Sequence, residues 1–574
     1  MRKLIGIAVL LLLTSFLFAE IVPVNQVKPR MKGYLSTVFE GTTETRVEFE
    51  VKGTTYELLN SQYMPIIWNL AQVQPGQPVP AAGQSGSPCW LYTDSGEKFL
   101  GLLSLGSGYM DKSPLFGITP YEYIVKNSNS SQTNLIAQKL NLNHLPLLLN
   151  LNSLDGYSNL DLNQIFPEDK FKLILNPGQN NNEPVEVEMV KIRPGLPINI
   201  YLVRGDLNLY VHGTLGVIDG AQFTALGHAI WGFGDTDLPV YPASVITTVE
   251  NYFQSYRLPG QDIGPLLGTI TTDTHWGVKG QVGLQPKMIP VNFAFQNQKF
   301  SQQRNFEVVR IKLTPELISS IINYYLLTIG SETKIDSLNR GNISIETTYL
   351  FKNRVPYIQT QIYNFENNYS QSVSQYARFL LNNVLTPIFN NPVTMADLDR
   401  ISFDVKVAAD FKKLALEKIK VKGKIGPEKK IDLRLSLFSA DQTTRYKTQL
   451  QIRCPDGARK GEGQIEVRTG MYFFNPLNSW KTIDDLLRVQ TNTTIFIKLV
   501  CYFEKDNANQ VKGAQLVKVE GEGKQKLNSI WQVEKLSTKE KVEILFELKL
   551  PVLAETAINM VFLPDDQGGF DHER

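Results

Sequence analysis

Cysteine and histidine are scarce in this chain of 574 residues, with three of the first and five of the second. Cys89, Cys454 and Cys501 lie far apart in sequence, so neither a disulfide framework nor a zinc-ligand spacing can be read from them. Cys454 and Cys501 stay open between a pair in an oxidising compartment and two buried thiols. Neither sign of charge is in excess: Lys and Arg number 58, Asp and Glu 56, and the net charge of +2 argues against a nucleic-acid partner. Beyond the N-terminus no run reaches the roughly 18 apolar residues of a spanning helix, so no membrane span is expected in the mature chain. No metal-ligand cluster or cofactor motif is visible, and no cofactor is expected.

The one long apolar run comes first. Arg2 and Lys3 precede Leu4 to Phe18, and Leu17-Phe18-Ala19 offers a small-residue cleavage site, so residues 1–19 read as a secretory signal. The expected location is the periplasm, the cell envelope or outside the cell. The remainder exceeds one core by the usual domain size, and three or four domains are expected.

Strand signals dominate, so the fold class is mainly β. Val47, Phe49 and Val51 alternate with charged residues, and Cys89–Tyr92 and Phe99–Leu105 are apolar runs bounded by turn residues. After an Asn-, Ser- and Leu-rich connector, alternation resumes at Leu207–Val211. Asp219-Gly220 then predicts a hairpin whose returning strand runs from Phe223 to Leu226.

Two stretches carry chemistry. In Ala82-Gly83-Gln84-Ser85-Gly86-Ser87-Pro88 the glycines permit a tight loop that holds the Ser85 hydroxyl outward. The N–H groups of Gly83 and Ser85 would then face one side, as an oxyanion hole requires. An ordinary small-residue turn has the same composition. At the end of the returning strand, Gly227-His228 is placed to project an imidazole into a cleft, although a structural histidine would look the same.

These stretches belong to a longer ordered set. Val27-Lys28-Pro29-Arg30-Met31-Lys32-Gly33-Tyr34, Gly83-Gln84-Ser85-Gly86-Ser87-Pro88 and Gly117-Ile118-Thr119-Pro120 are followed by Val203-Arg204-Gly205-Asp206. Then come Ala225-Leu226-Gly227-His228-Ala229-Ile230, Asp237-Leu238-Pro239 and Gly268-Thr269-Ile270-Thr271-Thr272-Asp273. Over about residues 21–300 the chain resembles the SpoIVB peptidase family of serine proteases, which is chymotrypsin-like and of the PA clan. The serine block precedes the histidine block, the reverse of the order in the sporulation members, as a circular permutation would give. Gln84 stands where the family has Met.

The resemblance implies a double β-barrel with Ser85 as nucleophile, His228 as general base, and Gly83 and Ser85 N–H groups as the oxyanion hole. It assigns the first part of the peptidase domain to 20–125, a connector or insertion to 126–185 and the second part to 186–300. The third member of the triad stays open between Asp273, Asp237 and no carboxylate. Asp273 is favoured because its separation from His228 is similar to that in chymotrypsin-like enzymes.

Residues 301–400 read as an α+β domain, with one helix starting at Thr314-Pro315-Glu316 and another around Gln375–Val384. Alternation from Ile401 predicts an immunoglobulin-like sandwich over 401–475. A further β-rich domain is expected over 476–565 and a disordered tail over 566–574. The expected function is an exported serine endopeptidase acting on envelope proteins, and possible self-cleavage is implied by the resemblance. The C-terminal β-domains would dock a partner or present substrate. The alternative is an inactive scaffold built on the same barrels.

Overall fold

The computed structural model describes residues 20–562 except 60–61, 107–114, 127–146, 154–170, 178–190, 233, 298, 334–339, 353–355, 367–380, 382–384, 387, 390–397, 409–413, 440–444, 471–493, 505–514, 521–528, 536–538 and 550–555. The signal over 1–19 and the tail over 566–574 lie outside the described residues, as does most of the helix expected around Gln375–Val384. The chain divides into two compact units, 1–290 with 305–324, and 291–304 with 325–574.

The first unit contains two closed six-stranded barrels. One is built from β1 (Lys32–Val38), β2 (Glu44–Leu59), β3 (Gln62–Ala71), β4 (Pro88–Thr93), β5 (Gly96–Gly106) and β6 (Leu115–Pro120), in the order β1-β2-β3-β6-β5-β4. The alternation of β2 explains its place: Val47, Phe49 and Val51 point inward to a core with Leu35, Ile67, Leu91, Leu103 and Phe116. Burying one such side chain stabilises the fold by about 1.5–3 kcal/mol, and closure leaves no strand edge unpaired. A short helix, α1 (Tyr121–Lys126), follows β6.

Two strands from the Asn-rich connector are described, β7 (Leu147–Ser153) and β8 (Phe171–Pro177). Next come β9 (Pro197–Gly205), β10 (Leu207–Asp219), β11 (Gln222–Ala225), β12 (Gly234–Val249), β13 (Tyr256–Asp262), β14 (Gly268–Thr274) and β15 (Gly277–Val282). The second barrel runs β9-β12-β14-β15-β11-β10 and closes through the β9–β10 pairing. Its β10–β11 hairpin pairs Asp219 with Gln222, so the two-residue turn is Gly220-Ala221, one residue beyond the expected Asp219-Gly220. The connector had no readable role in the sequence; here β7 pairs with β10 on the outside of the closed barrel path, and β8 lies parallel to β7. β13 pairs with β12 alone, so it too stands off the closed path.

β16 (Ile289–Gln296) and β17 (Ser301–Val308) precede α2 (Thr314–Thr333). The Thr314 hydroxyl turns back to the carbonyls of Val309 and Ile311 and accepts the Ile311 N–H.

In the second unit, β18 (Arg340–Phe351), β19 (Tyr357–Glu366) and β20 (Leu398–Ala408) form a sheet with β16. β20 pairs in parallel with β16 and antiparallel with β18, so the alternating stretch at 401–407 belongs to this sheet. The sandwich proper starts at β21 (Leu414–Gly423). It continues through β22 (Lys430–Ser439), β23 (Arg445–Arg453), β24 (Gly463–Gly470), β25 (Thr494–Glu504), β26 (Gln515–Glu520), β27 (Ser529–Lys535), β28 (Lys539–Lys549) and β29 (Thr556–Phe562). The sheets β21-β22-β23-β26 and β27-β28-β25-β24-β29 share one core, in which Leu433 and Ile452 lie with Val467, Ile497 and Ile544. Strands on both sides of residue 475 therefore contribute to one apolar layer, because neither sheet could bury its inner face alone. Cys454 and Cys501 are buried in that core as free thiols joined by a hydrogen bond.

Candidate active site

Ser85 lies in the loop between β3 and β4, on the first barrel; His228 follows β11 of the second. The structure brings them together, with Ser85 Oγ 2.8 Å from His228 Nε2 and each residue 2 % exposed. The other ring nitrogen of His228 sets the direction of this hydrogen bond. His228 Nδ1 is 2.9 Å from the Ala229 carbonyl, which can only accept, so Nδ1 carries the proton. In the neutral ring Nε2 then holds a lone pair, and the Ser85 hydroxyl donates to it. That is the arrangement a general base needs. Burial lowers the His228 pKa to about 4, opposed by the Ala229 hydrogen bond, so the ring is neutral at pH 7.

The serine loop is tied at nearly every peptide. Gly83 and Gly86 both adopt positive φ, 88° and 97°. A Cβ on Gly86 would lie 2.1 Å from the Thr214 carbonyl oxygen of the second barrel, so only glycine allows this approach. The Gln84 side chain spans the loop, accepting from Ala81 N–H at 2.9 Å and donating to the Pro78 carbonyl at 3.1 Å. The Ser85 carbonyl accepts Thr214 N–H.

Two peptide carbonyls fix the expected oxyanion donors. The Ala82 carbonyl accepts Arg257 N–H, and the Gln84 carbonyl accepts both the N–H and the hydroxyl of Ser87. In a trans peptide the N–H points opposite to the C=O, so the N–H groups of Gly83 and Ser85 are turned away from these partners. Neither has a hydrogen-bond partner among the described residues.

The histidine loop is built differently. Leu226 and Gly227 are consecutive left-handed residues at φ 61° and 59°, which reverse the chain between β11 and His228. Thr119, on β6 of the first barrel, donates to the Gly227 carbonyl at 2.7 Å. Asp273, on β14 and 1 % exposed, accepts the N–H groups of Ile230, Trp231 and Gly232 at 2.8–2.9 Å. The Ile230 N–H belongs to the same peptide as the Ala229 carbonyl. By holding that N–H, Asp273 directs the carbonyl toward His228 Nδ1. Asp237, the other acidic candidate, has its carboxylate on Lys287 N–H at 2.8 Å.

Five contributors have no counterpart in the sequence analysis: Arg257, Thr37, Thr119, Thr214 and the Ala229 carbonyl. Arg257 is fully buried in the alternating β13, where an inward-phase charge was the available signal. The threonines and a backbone carbonyl have no sequence signature. Among the described residues no group of His, Cys, Asp and Glu could hold a metal ion, and no helix is long and apolar enough to cross a membrane. No family model, curated protein or solved structure matches this chain.

Proposed function

We propose that this chain is an exported serine endopeptidase of the SpoIVB type, acting on envelope proteins through Ser85 and His228. The observation that carries the proposal is the 2.8 Å contact of Ser85 Oγ with a histidine nitrogen that must be an acceptor, beside two N–H groups without a partner among the described residues. As the Ser85 oxygen attacks the scissile carbonyl, its proton passes to His228 Nε2 and a C–O bond forms. The carbonyl electron pair moves to the oxyanion, which rests on the Gly83 and Ser85 N–H groups; one such donor contributes about 2.7–4 kcal/mol in the transition state. The imidazolium keeps Nδ1–H on the Ala229 carbonyl, behind which lies the carboxylate of Asp273. His228 then protonates the leaving amine as the C–N bond breaks, and water repeats the sequence to release the acyl group.

The reading is tested by a fluorophosphonate probe on the purified full chain beside Ser85→Ala and His228→Ala. Wild-type labelling that is lost in both variants is the expected result. A folded wild type that takes no label overturns it and leaves the barrels as an envelope interaction scaffold.

A further inference from the structure

We propose that Arg257, on β13, is the positioning residue of the oxyanion hole: it holds the carbonyls of residues 82, 83 and 84 back so that the N–H groups of Gly83 and Ser85 face the site. This rests on the peptidase reading above. Three routes lead from this one residue to three successive carbonyls. Its main-chain N–H donates to the Ala82 carbonyl at 3.0 Å. Its Nη1 donates to the Gly83 carbonyl at 2.7 Å and to Thr214 Oγ1 at 2.8 Å, and the Thr214 hydroxyl donates in turn to the same Gly83 carbonyl at 3.1 Å. Its Nη2 donates to Thr37 Oγ1 at 2.6 Å.

The third route is directional. Thr37 Oγ1 accepts from Arg257, so its own hydrogen is available to Ser87 Oγ at 2.9 Å, and the Ser87 hydroxyl donates to the Gln84 carbonyl at 2.7 Å. The relay therefore ends on the carbonyl whose peptide supplies the Ser85 N–H. Successive donors in a buried chain polarise one another, and a peptide polarised at C=O is a stronger donor at N–H.

Arg257 is fully buried and has no carboxylate partner among the described residues. Burial lowers its pKa to about 9, which still leaves the guanidinium charged at pH 7. The charge thus stands, with no carboxylate partner among the described residues, directly behind the loop on which negative charge would develop.

The test is fluorophosphonate labelling of the full chain, with the limiting rate and the half-saturating probe concentration measured separately on the titrated active fraction. Arg257→Met keeps the main-chain bond to Ala82 and removes the fork. Its limiting rate is expected to fall about 100-fold, the loss of one oxyanion donor, with half-saturation unchanged. Arg257→Lys restores the charge but not the fork and should recover part of the rate. Thr37→Val cuts only the relay and should slow labelling by less than about tenfold.

A folded Arg257→Met that labels within twofold of the wild type overturns the inference. If that variant does not fold, an unchanged rate in Thr37→Val overturns it equally. A reduced titrated fraction with a normal limiting rate shows a structural role and also overturns it. A wild type that takes no label fails the peptidase reading itself, a distinct outcome.

Discussion

The two loops that meet at Ser85 and His228 are braced by buried charges of opposite sign, one on β13 beside the second barrel and one on β14 within it. The serine loop is held by a cation, Arg257, which grips carbonyl oxygens. The histidine loop is held by an anion, Asp273, which grips three N–H groups. The difference follows from what each loop would have to show in the proposed reaction. A loop that offers N–H donors to an oxyanion must have its carbonyls drawn away, which requires donors behind it. A loop that offers a carbonyl to His228 Nδ1 must have its N–H groups drawn away, which requires an acceptor behind it. Each buried charge is thus assigned by peptide geometry, not by direct contact with the reacting atoms.

The largest expected effect comes from removing the anion. In Asp273→Asn one amide NH2 faces backbone N–H groups that now hold a carboxylate, so at least one buried donor loses its acceptor. A lost hydrogen bond to a buried charged group costs about 1.5–3 kcal/mol, and the Ala229 carbonyl is no longer fixed. A drop of about 100-fold or more in the labelling rate is expected, on the scale of disturbing the histidine tautomer, with a lower melting temperature. If Asp273→Asn lost stability but kept its labelling rate, Asp273 would be a loop staple only and the parallel with Arg257 would break.

A smaller and graded effect is expected from pH. The folded-state pKa of His228 is about 4, below the ordinary 6.5. Between those values the unfolded chain binds the proton and the native ring does not. Stability is therefore fully present above pH 6.5 and is lost as pH falls toward 4, by about 3 kcal/mol when complete. His212, buried beside Arg257, is also held well below its ordinary value and acts in the same direction. The labelling rate should stay near its neutral value down to about pH 5 and halve near pH 4. Half-loss near pH 6.5 would mean that the imidazole is wetter than its packing indicates.

Much of this arrangement was legible beforehand because periodicity and turn chemistry are local. Alternation at Val47–Val51 marks a barrel strand, Asp219-Gly220 marks the β10–β11 turn, and the glycines beside Ser85 mark a loop that needs positive φ. Asp273 was one of three alternatives for the acidic role, with Asp237 and no carboxylate, and its bonds to the N–H groups of Ile230, Trp231 and Gly232 could not be read. What could not be read is long-range and made by backbone. The Ala229 carbonyl has no residue type to betray it, and Thr37, Thr214 and Arg257 meet only once two barrels are closed. The sandwich core likewise spans residue 475 because strand pairing across 471–493 is invisible to composition.

The smallest effect expected is that of Asp237→Asn, and it sharpens the comparison most cheaply. Asp237 follows His228 closely in sequence, in a matched Asp-Leu-Pro. Its carboxylate nevertheless caps Lys287 N–H and is half-buried, so an asparagine oxygen can accept the same bond at little cost. Labelling rate within twofold of the wild type and a change in stability of about 0.5 kcal/mol or less are expected. A large loss of rate in Asp237→Asn, with Asp273→Asn unaffected, would move the acidic role to β12. The opposed pair of charges would then be a feature of folding alone, because only Asp273 sits on the peptide that directs the Ala229 carbonyl to His228.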